Sequence, residues 1–316
     1  MVKVAIAGGT GGLGRTIIEA ILSTKKHEVY ILSRKPNPAI AAELGVTVIS
    51  VDYFDTGAFV KALEDHQIHT IISTLSALSM TTTDGLSPEL ELIKAADISK
   101  TTKRIISNSW GIPYTEEHMK DHPLAVPKLQ AIQALKDAKD LEGCAISNGY
   151  FLDYYGMPKV KSHMLPATNV VDIANDAAGI PGTGNDPVVF THTLDVAKYV
   201  AAALELDKWD LQMFIIGDKV TFNEMVDIAQ NAKGTKFNVS YDSVEKLKSG
   251  KVTELPAHLP VYQFFPKNML QGFFSTFGLW FIAGLFDLKP AKTLNQIFPE
   301  IKPRTVRDVV EAGWKR

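Results

Sequence analysis

Apolar positions in the first half of the chain fall into short runs that alternate with stretches of helical spacing. Runs at 2–7, 29–32, 47–51, 70–73, 104–107 and 144–147 predict buried strands. Between them, residues 12–23, 39–44, 56–65, 88–98 and 127–139 place apolar side chains three and four apart, which predicts helices with one buried face. Thr56 and Ser87 read as helix N-caps, with Pro88 at a first helical position that needs no N–H. Strands and helices that alternate over short connections make a parallel sheet covered on both faces. The fold class is therefore α/β, a Rossmann-type doubly wound sheet.

Past residue 150 the pattern changes. Residues 151–187 are rich in Gly, Pro, Asn and Asp, with one short apolar piece at 169–173. Further strands are expected at 188–191, 212–216 and 237–241, with helices at 194–204, opened by Thr193, and at 223–232. This predicts a dinucleotide-binding domain over 1–152 and a smaller α/β substrate lobe over 153–316, interleaved with it. Residues 269–288 are the most apolar stretch, but Gln271, Ser275, Thr276 and three glycines interrupt it. A helix covering an apolar pocket fits it better than a membrane span.

Composition narrows the class. The chain is 46% hydrophobic and 22% charged with a formal net charge of −2, so it is an ordinary globular protein without the basic bias of a nucleic-acid binder. A single cysteine excludes an internal disulfide and fits a cytoplasmic location, and Cys144 lies in an apolar run as a buried, inert thiol. No signal peptide is expected, because the strand and its glycine turn begin at residue 2. A monomer and a homodimer both fit the sequence.

The candidate chemistry lies at the strand ends. The first strand breaks into Gly8, Gly9, Thr10, Gly11, Gly12, Leu13 and Gly14 and then into a helix, the order of a dinucleotide-binding turn. Gly9 and Gly11 allow a tight turn and close approach to a pyrophosphate, and Gly14 allows the helix to pack on the strand. Free N–H groups at the helix start hold the phosphates. After strand two, Ser33-Arg34-Lys35 puts two cations where an NAD enzyme usually has a carboxylate. Arg34 and Lys35 therefore favour NADPH/NADP through its 2′-phosphate, against a merely solvated turn before Pro36. Asp52 either accepts from the adenine amino group or caps its own turn. Ser73, Thr74 and Leu75 leave room for the cofactor to cross the sheet edge. Ser107 and Asn108 after strand five, and Asn148 and Phe151 after strand six, are expected to face the nicotinamide.

A Tyr and a Lys four apart on a helix would mark an ordinary short-chain dehydrogenase. Tyr155 and Lys159 have the spacing, but Gly156 and Pro158 between them argue against a helix. Lys128 follows Pro127 at a helix start, where the dipole and a cationic nicotinamide would lower its pKa toward neutrality. Position alone favours an ordinary exposed lysine there.

Several of these segments occur together: Ala7-Gly8-Gly9-Thr10-Gly11-Gly12-Leu13-Gly14, Ser33-Arg34-Lys35, Ser107-Asn108-Ser109-Trp110-Gly111 and the Lys128 helix. Later come Ile180-Pro181-Gly182-Thr183-Gly184-Asn185, Phe190-Thr191 and Asp195-Val196-Ala197. In this combination the chain resembles the NmrA-like, isoflavone-reductase-like branch of the atypical short-chain dehydrogenases over most of residues 1–235. The resemblance implies an NADPH preference and a general acid/base lysine on the helix after strand five, the position of Lys128. Asn108 and Trp110 depart from the Pro, Ser, Glu or Phe usual before the glycine of that turn. That departure implies a substrate read differently from those of the plant phenylpropanoid reductases.

Ser109, Trp110, Tyr114, Tyr154 and Tyr155 are the candidate substrate residues, with Phe273, Phe274, Phe277, Trp280 and Phe281 closing over them. Together they would line a pocket for an apolar aromatic small molecule, although core packing accounts for several equally well. His118 and His122 are either proton relays or exposed loop histidines, and no spacing suggests a metal. The leading expectation is an NADPH-dependent reductase of a carbonyl or conjugated alkene, with Lys128 donating the proton and Ser109 or Asn148 holding the developing oxyanion. The alternatives are a non-catalytic NADP(H) redox sensor with a protein partner, and a non-redox enzyme on the same fold.

Overall fold

The computed structural model describes residues 1–75, 87–117 and 125–315. Its first half runs β1 (Lys3–Ala7), α1 (Gly12–Thr24), β2 (Glu28–Ser33), α2 (Pro38–Leu44), β3 (Thr47–Ser50), α3 (Thr56–Asp65), β4 (Thr70–Ser73), α4 (Pro88–Ile98), β5 (Arg104–Ile106), α5 (Val126–Asp137) and β6 (Glu142–Ser147). Seven strands form one sheet in the order Gln212–Phe214, β6, β5, β4, β1, β2, β3, and every pair is parallel. Val4, Ala5, Ile6 and Ala7 of β1 are all fully buried, as a strand covered on both faces requires. On one side, Ala5, Leu32 and Ile71 pack with Phe59 and Leu63 of α3, Leu92 and Ala96 of α4, and Leu135 of α5. Because β1 lies between β2 and β4, the winding reverses there, and the crevice beyond the carboxyl ends of β1 and β4 is the natural ligand site.

The chain divides into two units. The first comprises residues 1–147, 196–215 and 292–301, and the second 148–195, 216–291 and 302–316. The strand expected at 212–216 is shorter, Gln212–Phe214, and it extends the first unit's sheet beside β6. The second unit holds two three-stranded sheets. One orders Asp218–Val220, Val188–Thr191 and Tyr150–Phe151; the other orders Asn238–Asp242, Ala177–Pro181 and Val171–Asp172.

Two local expectations need correction. Asp55 caps α3, its Oδ1 accepting the Ala58 N–H at 2.9 Å, and Thr56 is instead the first helical residue. A carboxylate suits the positive helix end better than a hydroxyl, and the Thr56 hydroxyl donates to Glu91 at 3.2 Å. The apolar stretch at 269–288 forms the helix Lys267–Ile282, which ends before Ala283. Among the described residues no helix is long and apolar enough to cross a membrane. Ser87 does cap α4, accepting from Leu90 N–H at 3.5 Å.

Candidate functional site

The glycine turn between β1 and α1 shows which glycines the protein needs for itself. Gly8 has φ +79°, a conformation that disfavours any side chain, and an added Cβ would lie 2.6 Å from the Thr74 carbonyl oxygen. Thr74, at the end of β4, donates its N–H and its hydroxyl to the Ala7 carbonyl, each at 2.8 Å. At Gly14 a Cβ would lie 2.6 Å from the Gly8 carbonyl oxygen, so α1 lies directly on the end of β1. At Gly9 it would meet Ile18 Cδ1 at 2.7 Å. Gly11 differs: it has extended backbone, is exposed, and an added Cβ would meet nothing within 4 Å among the described residues. Internal packing does not demand a glycine there, and the position leaves room for close approach of a ligand to the backbone. As N-cap, Gly11 leaves α1 without a side-chain cap, so the first-turn N–H groups point at whatever lies above them.

Arg34 and Lys35 follow β2 and are exposed, the Lys35 N–H reaching Ser33 Oγ at 3.4 Å. Asp52 caps its own turn, its Oδ1 accepting from Phe54 N–H at 3.0 Å. First-turn amides without a side-chain cap, an open glycine and two cations after β2 suit the pyrophosphate and 2′-phosphate of a dinucleotide.

Lys128 ends a buried polar chain at the ends of β4 and β5. It sits on the first turn of α5, is only 8% exposed, and donates to the Asn108 carbonyl. The N–H of Asn108 donates to Oε1 of Glu89 at 2.8 Å, and Oε2 of Glu89 accepts from the Ser73 hydroxyl at 2.5 Å. Burial lowers the Lys128 pKa to about 8, against the partly restoring charge of Glu89. Burial also pushes the Glu89 carboxyl up, opposed by Ser73, the Asn108 N–H and Lys128. Around this chain, Asn108 Nδ2 donates to the Leu75 carbonyl at 2.6 Å and Trp110 Nε1 to the Ser73 carbonyl at 3.0 Å. Ser107 donates through its hydroxyl to Ser109 at 3.0 Å.

Ser73, Thr74, Leu75, Ser107, Asn108, Ser109, Trp110 and Lys128 thus come together in the first unit. Trp110 is buried with its indole nitrogen turned onto the sheet. Burial raises the Tyr114 phenol to about 12. Glu89 was not legible as a member of this group. Ser87-Pro88-Glu89 reads as a capped helix start with an acidic residue complementing the dipole, and only the fold reveals its burial. His118 and His122 lie outside the described residues.

In the second unit Asn148 is fully buried and Phe151 is half-buried. Tyr154 packs its ring on Tyr150 at 5.7 Å. Tyr155 is buried, with its ring on Phe190 at 5.7 Å and its hydroxyl without a hydrogen-bond partner among the described residues. Trp280 is buried beside Phe277 at 5.3 Å. Phe281 meets both Phe286 and Phe222, at 4.7 and 4.9 Å, and Tyr150 edges onto Phe277 and Phe281. Leu152–Tyr155 is a 3-10 turn, so Tyr155 and Lys159 do not share a helix face. Burial also drives the Cys144 thiol well above its ordinary range, as an inert structural cysteine requires. Among the described residues no cluster of acidic, His or Cys side chains could hold a metal.

The model of the NmrA-like family matches residues 2–305. The chain belongs to the NmrA-like family. A curated relative, oxidoreductase BOA1 of Botryotinia fuckeliana (strain B05.10), is 36% identical over 306 residues that cover 96% of each chain. Oxidoreductase swnN of Metarhizium robertsii (strain ARSEF 23 / ATCC MYA-3075) is 28% identical over 99% of this chain and 98% of its own. Among solved structures, the binary complex of leucoanthocyanidin reductase with NADPH from Vitis vinifera superposes with a TM-score of 0.71. It covers 98% of each chain at 18% identity, a likeness that establishes the NmrA-like chain's α/β fold.

Proposed function

We propose that this protein is an NADPH-dependent reductase that delivers hydride to a carbonyl or conjugated alkene of an apolar aromatic substrate, with Lys128 as the proton donor. The observation that carries this reading is Lys128 itself. It is a buried ammonium at the carboxyl end of the sheet with a pKa of about 8, held in place by the Asn108 carbonyl. A structural lysine gains nothing from such a site, whereas a general acid working near neutral pH needs a pKa near the working pH.

The α1 first-turn N–H groups from Gly12 to Gly14 would hold the pyrophosphate, with Gly11 leaving room for it. Arg34 and Lys35 would hold the 2′-phosphate, Arg34 as a planar fork and Lys35 as a point charge. The second oxygen of Asp52 would accept from the adenine amino group. The bound dinucleotide supplies the hydride. Lys128 then provides the accompanying proton from Nζ to the substrate oxygen or carbon, so the reduced product gains one hydride and one proton. Ser109, next to Asn108 in the chain, would donate to the developing oxyanion. The oxidoreductase relatives and the NADPH complex of a structural neighbour support the redox class and the cofactor.

Purified protein incubated with NADPH and a panel of aromatic ketones and enones tests the proposal, with Lys128→Ala as control. Wild type should oxidise NADPH in a substrate-dependent way, and the variant should bind NADPH yet turn over at least roughly 100-fold more slowly, the usual scale of a lost general acid. Tight NADPH binding without reduction of any panel member, together with a co-purifying partner protein, would favour a redox sensor instead.

A further inference from the structure

We propose that Glu89 is the positioning residue for Lys128, fixing the peptide that grips the ammonium and serving as its counter-charge. Glu89 is 1% exposed, at the first turn of α4, and burial pushes its carboxyl up while the Ser73 hydroxyl, the Asn108 N–H and the charge of Lys128 favour the carboxylate. Both oxygens accept, one from the Ser73 hydroxyl at 2.5 Å and the other from the Asn108 N–H at 2.8 Å. The positive end of α4 adds to their effect.

The geometry makes Asn108 a two-sided bracket. Its N–H is tied to Glu89 and its carbonyl to Lys128, while its side-chain amide is tied to Leu75. Displacing Glu89 therefore releases the peptide unit that orients the Lys128 ammonium. The Ser73 hydroxyl fixes the other end of the carboxylate, and the Ser73 carbonyl is itself held by Trp110 Nε1. Four elements thus position one ammonium: the end of β4, the start of α4, the end of β5 and the start of α5. The charge of Glu89 also favours the proton on Lys128, against the desolvation that drives it off.

The ionisable groups facing the pair among the described residues are few. From α4 comes Glu89 itself and from α5 Lys128. The Tyr53 hydroxyl after β3 feels both Glu89 and Arg34, which follows β2. The Tyr53 phenol is buried and pushed up, so it stays neutral across the working range and does not compete for the role.

The catalytic meaning of this arrangement rests on Lys128 as proton donor; the coupling of the two charges does not, and it can be read without turnover. Glu89→Gln keeps an acceptor for the Asn108 N–H and a polar contact to Ser73 but removes the charge. Protein labelled with [ε-¹³C]lysine, with Lys128→Met to assign the signal, gives the Lys128 titration directly. The wild-type midpoint is expected near pH 8, and in Glu89→Gln it should fall by roughly one unit or more. In the pH profile of NADPH-dependent reduction the alkaline limb should move down by the same interval. If Glu89→Gln does not fold, the reciprocal measurement serves: the carboxyl carbon of Glu89 should titrate higher in Lys128→Met than in wild type. A Lys128 midpoint unchanged in folded Glu89→Gln, or a Glu89 midpoint unchanged in Lys128→Met, overturns the proposal. A protein that reduces nothing but shows the shifted midpoint would overturn the reductase reading and leave the coupling standing.

Discussion

Gly11→Ala and Gly14→Ala separate a glycine kept for a ligand from one kept for the fold. At Gly14 the new methyl would lie 2.6 Å from the Gly8 carbonyl oxygen and 3.0 Å from Gly9 Cα, both backbone atoms that cannot swing aside. Overpacking of this kind costs about 1–3 kcal/mol, offset by up to about 1 kcal/mol of helix propensity gained inside α1. A net loss of about 1–2 kcal/mol should lower the melting temperature by about 1–3 °C. Gly11 has φ −125° and ψ 163°, open to alanine, and nothing lies within 4 Å of its new methyl. There the poorer N-cap, worth up to about 1 kcal/mol, is countered by a stiffer unfolded chain worth about 0.4–1 kcal/mol. Stability should therefore stay within about 0.5 kcal/mol of wild type. Binding should not. A methyl group that pushes a phosphate off the first-turn amides forfeits a charge-assisted hydrogen bond of about 1.5–3 kcal/mol, or roughly 10–100-fold in Kd for NADPH. Urea unfolding and titration of NADPH fluorescence measure the two quantities on the same samples. A Gly11→Ala protein that binds NADPH as tightly as wild type, or that loses as much stability as Gly14→Ala, would refute the reasoning.

Three further outcomes follow from named residues. Arg34→Ser should weaken NADPH by about 10–100-fold, the loss of a charge-assisted fork onto a phosphate, while leaving NADH nearly untouched; equal losses for both would place Arg34 away from the 2′-phosphate. Because the proposed proton donor must be protonated, the reduction rate should hold below pH 8 and fall tenfold per unit above the Lys128 pKa of about 8. A rate that rises through that window contradicts the assignment. His258 is buried, its Nδ1 accepting from Leu255 N–H at 3.2 Å and its Nε2 meeting the Thr168 carbonyl at 3.0 Å, and burial holds its pKa below the ordinary value. The unfolded chain then takes up a proton that the folded chain refuses, so stability is retained at neutral pH and lost as pH falls below about 6.5. Urea midpoints between pH 5 and 7.5 should show that slope in wild type and a shallower one in His258→Asn, and equal slopes would count against it.

Much of the first unit was legible because its signals are local. The β1 run, the glycine turn, α1 and the Ser87-Pro88 cap are each written within a few adjacent residues, and the structure places them at or near the expected bounds. Less was legible where distant partners decide. The strand Gln212–Phe214 gives no hint in its three residues that it extends the sheet beside β6, because pairing depends on where intervening chain returns it. Thr56 reads as the cap of α3, but the adjacent Asp55 takes that place, and the Thr56 hydroxyl donates instead to Glu91, 35 residues away. The site shows the same division. Lys128 stood out only through a family resemblance, since Pro127-Lys128 alone reads as an exposed helix start. Glu89 did not stand out at all, because charge at a helix N-terminus is ordinary and its burial is created by Ser73 and Asn108, both distant in sequence.

The most direct test of the central claim follows the hydride itself. NADPH carrying deuterium at C4 of the nicotinamide is incubated with the protein and the aromatic ketones and enones, and the products are read by mass spectrometry. The reductase reading predicts one deuterium in the product of wild type and a severe loss of that product in Lys128→Ala, with NADPH affinity retained. Bound NADPH with no deuterium reaching any substrate, or labelled product formed equally well without Lys128, would contradict it.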